Sequence, residues 1–233
     1  MQEKEAYIRT RLQADFEAQF GDARDVRFFF APSRINIIGE HIDYNGGAVF
    51  PCALTIGTYA LARPNDLNVL RLYSVNMENR QDISLPLPAY EAKREWANYP
   101  IGVAKALEKE GVSPKGMDVV VYGNIPNGSG LSSSASLELL FGVLYSAFWS
   151  ERPIPTLTLV EAGVWCENDF FGLHTGIMDQ YVIGFGKAGH AMVLDTANKT
   201  HTYVPLSLEE KEAVLIVLNT GHRRELKDSK YNE

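Results

Sequence analysis

The chain has 233 residues, 45% of them hydrophobic and 22% charged, enough for one large domain or two small ones around a packed core. Its 29 acidic and 22 basic side chains give a formal charge of −7, which argues against nucleic-acid binding by phosphate neutralisation but not against a small anionic substrate. Two cysteines, Cys52 and Cys166, make no disulfide framework and lack metal-finger spacing. The start, MQEKEAYIRTRLQADFEAQF, has no apolar core of a secretory signal. The most apolar later stretch, LELLFGVLYSAFW from Leu137, is too short to span a membrane and carries Glu138. A cytoplasmic protein is expected, without nucleic-acid or membrane partners.

In chain order, Ile8, Leu12, Phe16 and Phe20 recur every four residues ahead of Gly21, the pattern of a helix and its stop signal. Apolar runs at 26–31, 34–39, 48–62 and 69–75 read as strands. A helix from about Tyr99 to Lys109 stops before Gly111. The strand MDVVVYG (117–123) leads into a Gly/Ser loop and a long helix near 132–149, and TLTLVEAGVWCENDFFG (156–172) reads as another helix. Runs at 191–196, 200–205 and 213–221 complete the predicted strands. Strands dominate early and helices are interspersed later without strict alternation, which predicts an α+β fold. The last run, AVLIVLNTG, is apolar on both faces, as suits a central strand with neighbours on both sides, yet only twelve mostly polar residues follow it. A truncated chain or an assembly partner is therefore expected.

The most informative stretch is GNIPNGSGLSSSASLELL, Gly123 to Leu140, in strand–glycine loop–helix order. Gly128 and Gly130 open backbone conformations closed to other residues. Leu131 to Ser134 fall at the helix start, where unpaired N–H groups and the helix dipole suit a phosphate. Ser132, Ser133 and Ser134 add hydroxyls able to bond phosphate oxygens or ligate Mg²⁺. No Lys follows the glycines, so this is not a Walker A loop; Ser133 spoils G-x-G-x-x-G, and Ser134 spoils G-x-S-x-G. The residues alone leave phosphate binding and a plain serine N-cap open, although three serines after two glycines exceed what a cap requires.

RINIIGEHIDYNGG, Arg34 to Gly47, is a strand that ends abruptly in charge. Glu40, His41 and Asp43 could bond several hydroxyls at once, as a sugar presents; a metal site or a solvated hairpin loop would use the same residues. Arg34, inside an apolar strand, requires a nearby anion, either a carboxylate or a phosphate. In LHTGIMDQYVIGFG, Asp179 stands between apolar stretches, where it could cap a turn, pair with an Arg or act as an acid/base group.

Together these segments resemble the galactokinases of the GHMP small-molecule kinase family. APSRINIIGEHIDYNGG looks like their sugar signature, NIPNGSGLSSSASLE like the phosphate loop, and GIMDQ like the segment with the catalytic aspartate; the likeness runs through the chain in order. It implies the GHMP-kinase N-terminal domain (ribosomal protein S5 domain 2-like), a mixed sheet with packed helices over 1–205, and the beginning of a C-terminal GHMP domain over 206–233. It implies Asp179 as catalytic base with Arg34 as its charged partner. Glu40, His41, Asp43, Gly176 and Tyr231 would contact galactose. Gly128, Ser129, Gly130, Leu131, Ser132, Ser133 and Ser134 would hold the ATP phosphates, and Ser134 and Glu167 would ligate Mg²⁺. The implied reaction moves the ATP γ-phosphoryl to the anomeric hydroxyl of α-D-galactose.

Three departures stand out. Ser33 occupies a usual glycine, which predicts a tighter or differently bonded turn before Arg34. Asn168 replaces a common His beside Glu167. The family's third, Gly-rich motif, which belongs to a C-terminal domain, is absent. Two other readings compete: a non-catalytic galactose-binding or regulatory module, and a GHMP kinase for a galactose derivative. The intact Ser-rich loop, Glu167 and Asp179 favour an enzyme over a sugar sensor.

Overall fold

The computed structural model describes residues 2–126, 128–208, 210 and 212–218. Helix α1 (Gln2–Phe20) is followed by strands β1 (Arg27–Asn36), β2 (Ala48–Val49), β3 (Pro51–Pro64), β4 (Val69–Ser74) and β5 (Asn79–Ser84). Then come α2 (Asn98–Lys109), β6 (Met117–Gly123), α3 (Ser133–Trp149), α4 (Thr156–Trp165), α5 (Met178–Phe185), β7 (His190–Asp195) and β8 (Thr200–Pro205). Five strands form a mixed sheet in the order β1-β3-β6-β4-β5, with β4 and β6 parallel and the other pairs antiparallel. A smaller antiparallel sheet has the order β2-β7-β8.

Alternation along the central strands creates two cores, because successive side chains leave a strand on opposite faces. Tyr59, Leu61 and Val120 face α1 and pack against Ile8, Leu12, Phe16 and Phe20, the four residues whose spacing marked that helix. Ala60, Ala62, Val119 and Val121 face the other way, into the larger core shared with α2, α3, α4 and α5. The long helix α3 is apolar nearly all round because it lies inside this core. Its Phe141, Leu144 and Tyr145 are fully buried.

Under α1, the sheet carries one buried charge. Asp118 on β6 is inaccessible and accepts hydrogen bonds from Arg71 Nε (2.7 Å), Arg71 Nη2 (2.6 Å), Asn65 Nδ2 (2.6 Å) and Arg63 Nε (3.3 Å). The guanidinium groups of Arg63 and Arg71 lie over the rings of Phe16 and Phe20, each 5.1 Å from the ring centroid. Arg63 Nη2 also donates to the Phe20 carbonyl at 3.1 Å, tying the end of α1 to the sheet.

Three sequence expectations need correction. Runs 26–31 and 34–39 are one strand, β1, interrupted by an irregularity of register between Pro32 and Arg34. Ser33 therefore lies within β1, opposite the stretch of β3 between Ala53 and Gly57 that carries the surplus residues, and not in a turn; it is fully buried and its hydroxyl lacks a partner among the described residues. The 156–172 helix ends at Trp165 and continues as a π-helical turn over Cys166–Phe170, closed by Phe171 N–H donating to the Cys166 carbonyl at 3.0 Å. The predicted 213–221 strand is absent over its described part, 213–218. No strand pairs with it there, and Val214 and Leu218 are 78% and 86% exposed, so apolar composition alone does not make a strand without a neighbour for its backbone.

Candidate active site

The site assembles where three irregular backbone segments meet. The pairing of β1 with β3 is irregular between Pro32 and Arg34, and Arg34 follows directly on that irregularity. Arg34 Nε and Nη2 donate to Asp179 Oδ1 and Oδ2, both at 2.7 Å, in a two-pronged ion pair. Its third nitrogen, Nη1, donates to the Gly130 carbonyl at 2.7 Å. One guanidinium thus ties the first turn of α5 to the glycine loop, and its planar fork is the group suited to that task.

The loop is held by its own irregular backbone. Gly128 and Gly130 have φ of 68° and 69°, a region that glycine enters without steric penalty. Ser132, not a glycine, also has positive φ, at 58°, just before α3 begins. Its hydroxyl makes no cap to the helix and instead donates to Asp179 Oδ2. This serine is spent on the carboxylate, and the start of α3 has no side-chain cap. Ser134 Oγ donates to Glu167 Oε1 at 3.1 Å. Burial pushes the Glu167 carboxyl up, while hydrogen bonds from Thr175 and Ser134 act in the opposite direction.

On the other side lies the charged loop after β1. Asp43 opens a short 3₁₀ turn, Asp43–Asn45, and its Oδ2 accepts from the Met178 N–H at 3.3 Å. Burial raises the Asp43 carboxyl above its ordinary range, with the Met178 N–H opposing. Thr196 Oγ1 donates to the carbonyls of Asp43 (3.0 Å) and Gly47 (2.8 Å), anchoring the loop to the small sheet. Glu40 is exposed at the rim, where Asn36 Nδ2 donates to its Oε1 at 3.1 Å. His41 is exposed beside it.

Asn168 joins the two sides. Its Oδ1 accepts from Thr175 N (2.7 Å) and Thr175 Oγ1 (3.2 Å), and its Nδ2 donates to the Thr175 carbonyl (3.0 Å). The amide therefore clamps the π-helical turn of Glu167 to the segment that leads through Gly176 to Asp179. All three of these hydrogen bonds are to Thr175.

These groups surround a cavity of about 470 Å³. Of the residues singled out from sequence, Arg34, Glu40, His41, Asp43, Ser129, Gly130, Leu131, Ser134, Glu167, Gly176 and Asp179 line it. Ser132 reaches it through Asp179, and Ser133 lines a neighbouring pocket of about 130 Å³ with Thr58, Ser74, Asn76, Trp96 and Leu137. Gly128 lines neither. Tyr231 lies outside the described residues. Ile216 and Val217 also line the larger cavity, and Trp96 the smaller one; sequence reasoning missed all three. A tryptophan among charged residues in REWANYP was the one available signal for the second pocket.

Two family signatures match this architecture. The galactokinase galactose-binding signature covers residues 14–64, and the GHMP kinase N-terminal domain covers residues 98–187. A galactokinase of Streptococcus thermophilus is 48% identical over 227 residues, and one of Bacillus subtilis is 45% identical over 228. The chain belongs to the galactokinase branch of the GHMP kinases. The crystal structure of Lactococcus lactis galactokinase complexed with galactose superimposes with a TM-score of 0.87 at 39% identity, covering 97% of this chain. Methanococcus jannaschii mevalonate kinase, at 18% identity and a TM-score of 0.65, shares the fold. The α+β expectation is thereby met as the GHMP N-terminal fold. The chain spans 58% of the length of each of these two curated relatives, and alignment covers 96% of it with the first.

Proposed function

We propose that this galactokinase-family chain phosphorylates α-D-galactose on its anomeric hydroxyl at the expense of ATP. The observation that carries the reading is the Arg34–Asp179–Ser132 constellation, which joins a phosphate-type loop to a carboxylate facing the Asp43 loop. The sugar lies against Glu40, His41, Asp43 and Gly176, with Tyr231 as a further contact. The triphosphate lies along Gly128–Ser134, at the N–H groups that open α3. The smaller pocket takes the nucleotide base, supported by the flat ring of Trp96, whose buried Nε1–H lacks a partner among the described residues.

Among the described residues no three His, Cys, Asp or Glu side chains form a metal cluster. Ser134 and Glu167 still fit Mg²⁺, which retains water and phosphate oxygens and needs only one or two protein oxygens. Bound there, the ion would neutralise phosphate charge. The chain's own residues do the rest. Asp179 orients the anomeric hydroxyl and accepts its proton late, as that oxygen bonds to the γ-phosphorus and the bond to the β–γ bridging oxygen breaks, releasing ADP. Arg34 holds the Asp179 carboxylate in one rotamer and offers positive charge beside the transferring group.

We assign residues 1–205 to the GHMP N-terminal domain and 206–233 to the beginning of a C-terminal one. Use of ATP supports a cytoplasmic setting. No helix among the described residues is long and apolar enough to cross a membrane. The test is formation of galactose 1-phosphate from galactose and ATP–Mg²⁺, with glucose and N-acetylgalactosamine alongside. Galactose is expected to be strongly preferred; no product from galactose, or equal rates with N-acetylgalactosamine, overturns the reading. Asp179→Asn should lower kcat by about 10³-fold while galactose still binds.

A further inference from the structure

Helix α3, opened by the glycine loop, and helix α5, whose first turn holds Asp179, meet at a buried polar contact that the proposed reaction does not use. Glu138, one turn after Ser134, and Gln180, next to Asp179, are both fully inaccessible. Gln180 Nε2 donates to Glu138 Oε2 at 2.9 Å. The other two oxygens of the same pair, Glu138 Oε1 and Gln180 Oε1, are buried without a partner among the described residues. Orphaned acceptors are costly in a protein interior, and a single hydrogen between them would relieve both. An O–H on Glu138 Oε1 donating to Gln180 Oε1 would close a ring of two parallel hydrogen bonds. Burial drives Glu138 well above the usual carboxylate range, and the Glu167 and Asp179 carboxylates push the same way. A third helix is fitted over the contact: a β-carbon on Gly163 of α4 would lie 2.9 Å from Gln180 Cγ and 3.1 Å from Glu138 Oε2.

We propose that Glu138 and Gln180 form a carboxylic acid–carboxamide pair that positions α3 against α5 and so sets the glycine–serine loop in register with Asp179. Neither residue lines the cavity. Both are positioning residues, acting through Ser132, Ser134 and Asp179, and their consequence for turnover rests on the kinase reading above. An ionised Glu138 would not serve, because it would leave a charged oxygen without a donor beside two further carboxylates.

Two variants separate the pair from its alternatives. Glu138→Gln keeps the volume and can remake both bonds with Gln180, whereas Glu138→Leu keeps bulk and removes both. Amide hydrogen exchange reads the positioning without turnover. In Glu138→Leu, exchange should accelerate about tenfold or more in the first turns of α3 and α5, with Glu138→Gln within about threefold of the wild type. Unchanged protection in Glu138→Leu overturns the proposal, as does equal loss in both variants, which would mean that an ionised carboxylate is needed. Where the wild type phosphorylates galactose, kcat should fall about tenfold or more in Glu138→Leu with the galactose KM within about threefold, and Glu138→Gln should restore it. A wild type without that activity defeats the kinase reading and leaves exchange to judge the pair.

Discussion

Gly176 and Asp43 are packed so closely that a β-carbon on Gly176 would lie 2.0 Å from Asp43 Oδ2 and 2.8 Å from the Tyr44 backbone nitrogen. The glycine is required for space, and its backbone forms a wall against which the Asp43 carboxylate is fixed while it accepts the Met178 N–H. Gly176→Ala must push the Asp43 loop away from α5. We expect galactose affinity to fall by about tenfold or more, with nucleotide affinity within about threefold, because one misplaced hydrogen-bonding group leaves polar atoms unpaired against the sugar. Isothermal titration with each ligand separately checks it; equal weakening of both would make the loop a general scaffold.

Arg34 offers a sharper test. Its fork spans both Asp179 oxygens and the Gly130 carbonyl at 2.7 Å each. Lysine carries the charge but has no fork, so Arg34→Lys should retain the ion pair and lose the tie to the loop. A kcat reduced by about 100-fold with galactose binding nearly intact is expected. Retention of full turnover in Arg34→Lys would reduce Arg34 to a counter-charge.

Ser132 combines strain with a function. Its φ of 58° is unfavourable for a residue with a β-carbon, and its hydroxyl is engaged with Asp179. Ser132→Ala and Ser132→Gly should both lose turnover by about tenfold, since both lack the hydroxyl. They should differ in stability: glycine tolerates the backbone, so Ser132→Gly is expected to melt above Ser132→Ala by a few degrees, corresponding to about 1 kcal/mol. Differential scanning calorimetry resolves that order.

Away from the cavity, the Asp118 node should govern how α1 is held. Two arginines and an asparagine converge on a carboxylate that is fully buried. Asp118→Ala removes the acceptor and strands the partly buried guanidinium groups of Arg63 and Arg71 under α1. Urea unfolding should report a loss of about 3–5 kcal/mol, the range for breaking one side of a buried pair. A loss below about 1 kcal/mol would mean that the cation–π contacts with Phe16 and Phe20 suffice.

Much of this was legible because it is carried by local pattern. The four-residue spacing of α1, the strand before the glycine loop and the serines after it each follow from short-range chemistry. Arg34 inside an apolar strand demanded an anion, and Asp179, 145 positions away, is that anion. Tertiary relationships were not legible. Nothing in the spacing of Ser132 says that its hydroxyl turns from the helix it precedes toward another helix. Glu138 reads in sequence as a charge interrupting an apolar run, because its partner Gln180 lies 42 positions away. The apolar run 213–218 misled in the opposite sense, since a strand is defined by a neighbour that composition does not supply.

Glu138 also predicts how stability varies with pH. Its carboxyl lies well above the usual range in the folded protein, first through burial and then through Glu167 and Asp179. In the unfolded chain it ionises near pH 4.3, about the reference value for glutamate. Between that pH and its folded value the native state binds the extra proton, so the contribution of Glu138 to stability falls as pH rises. Below about pH 4.3 both states are protonated and the effect vanishes. Glu138→Gln has no proton to retain and should abolish this slope. The melting temperature of Glu138→Gln relative to the wild type is therefore expected to increase from pH 5 to pH 8. A constant difference across that window, or a reversed one, would mean that Glu138 is ionised in the folded protein.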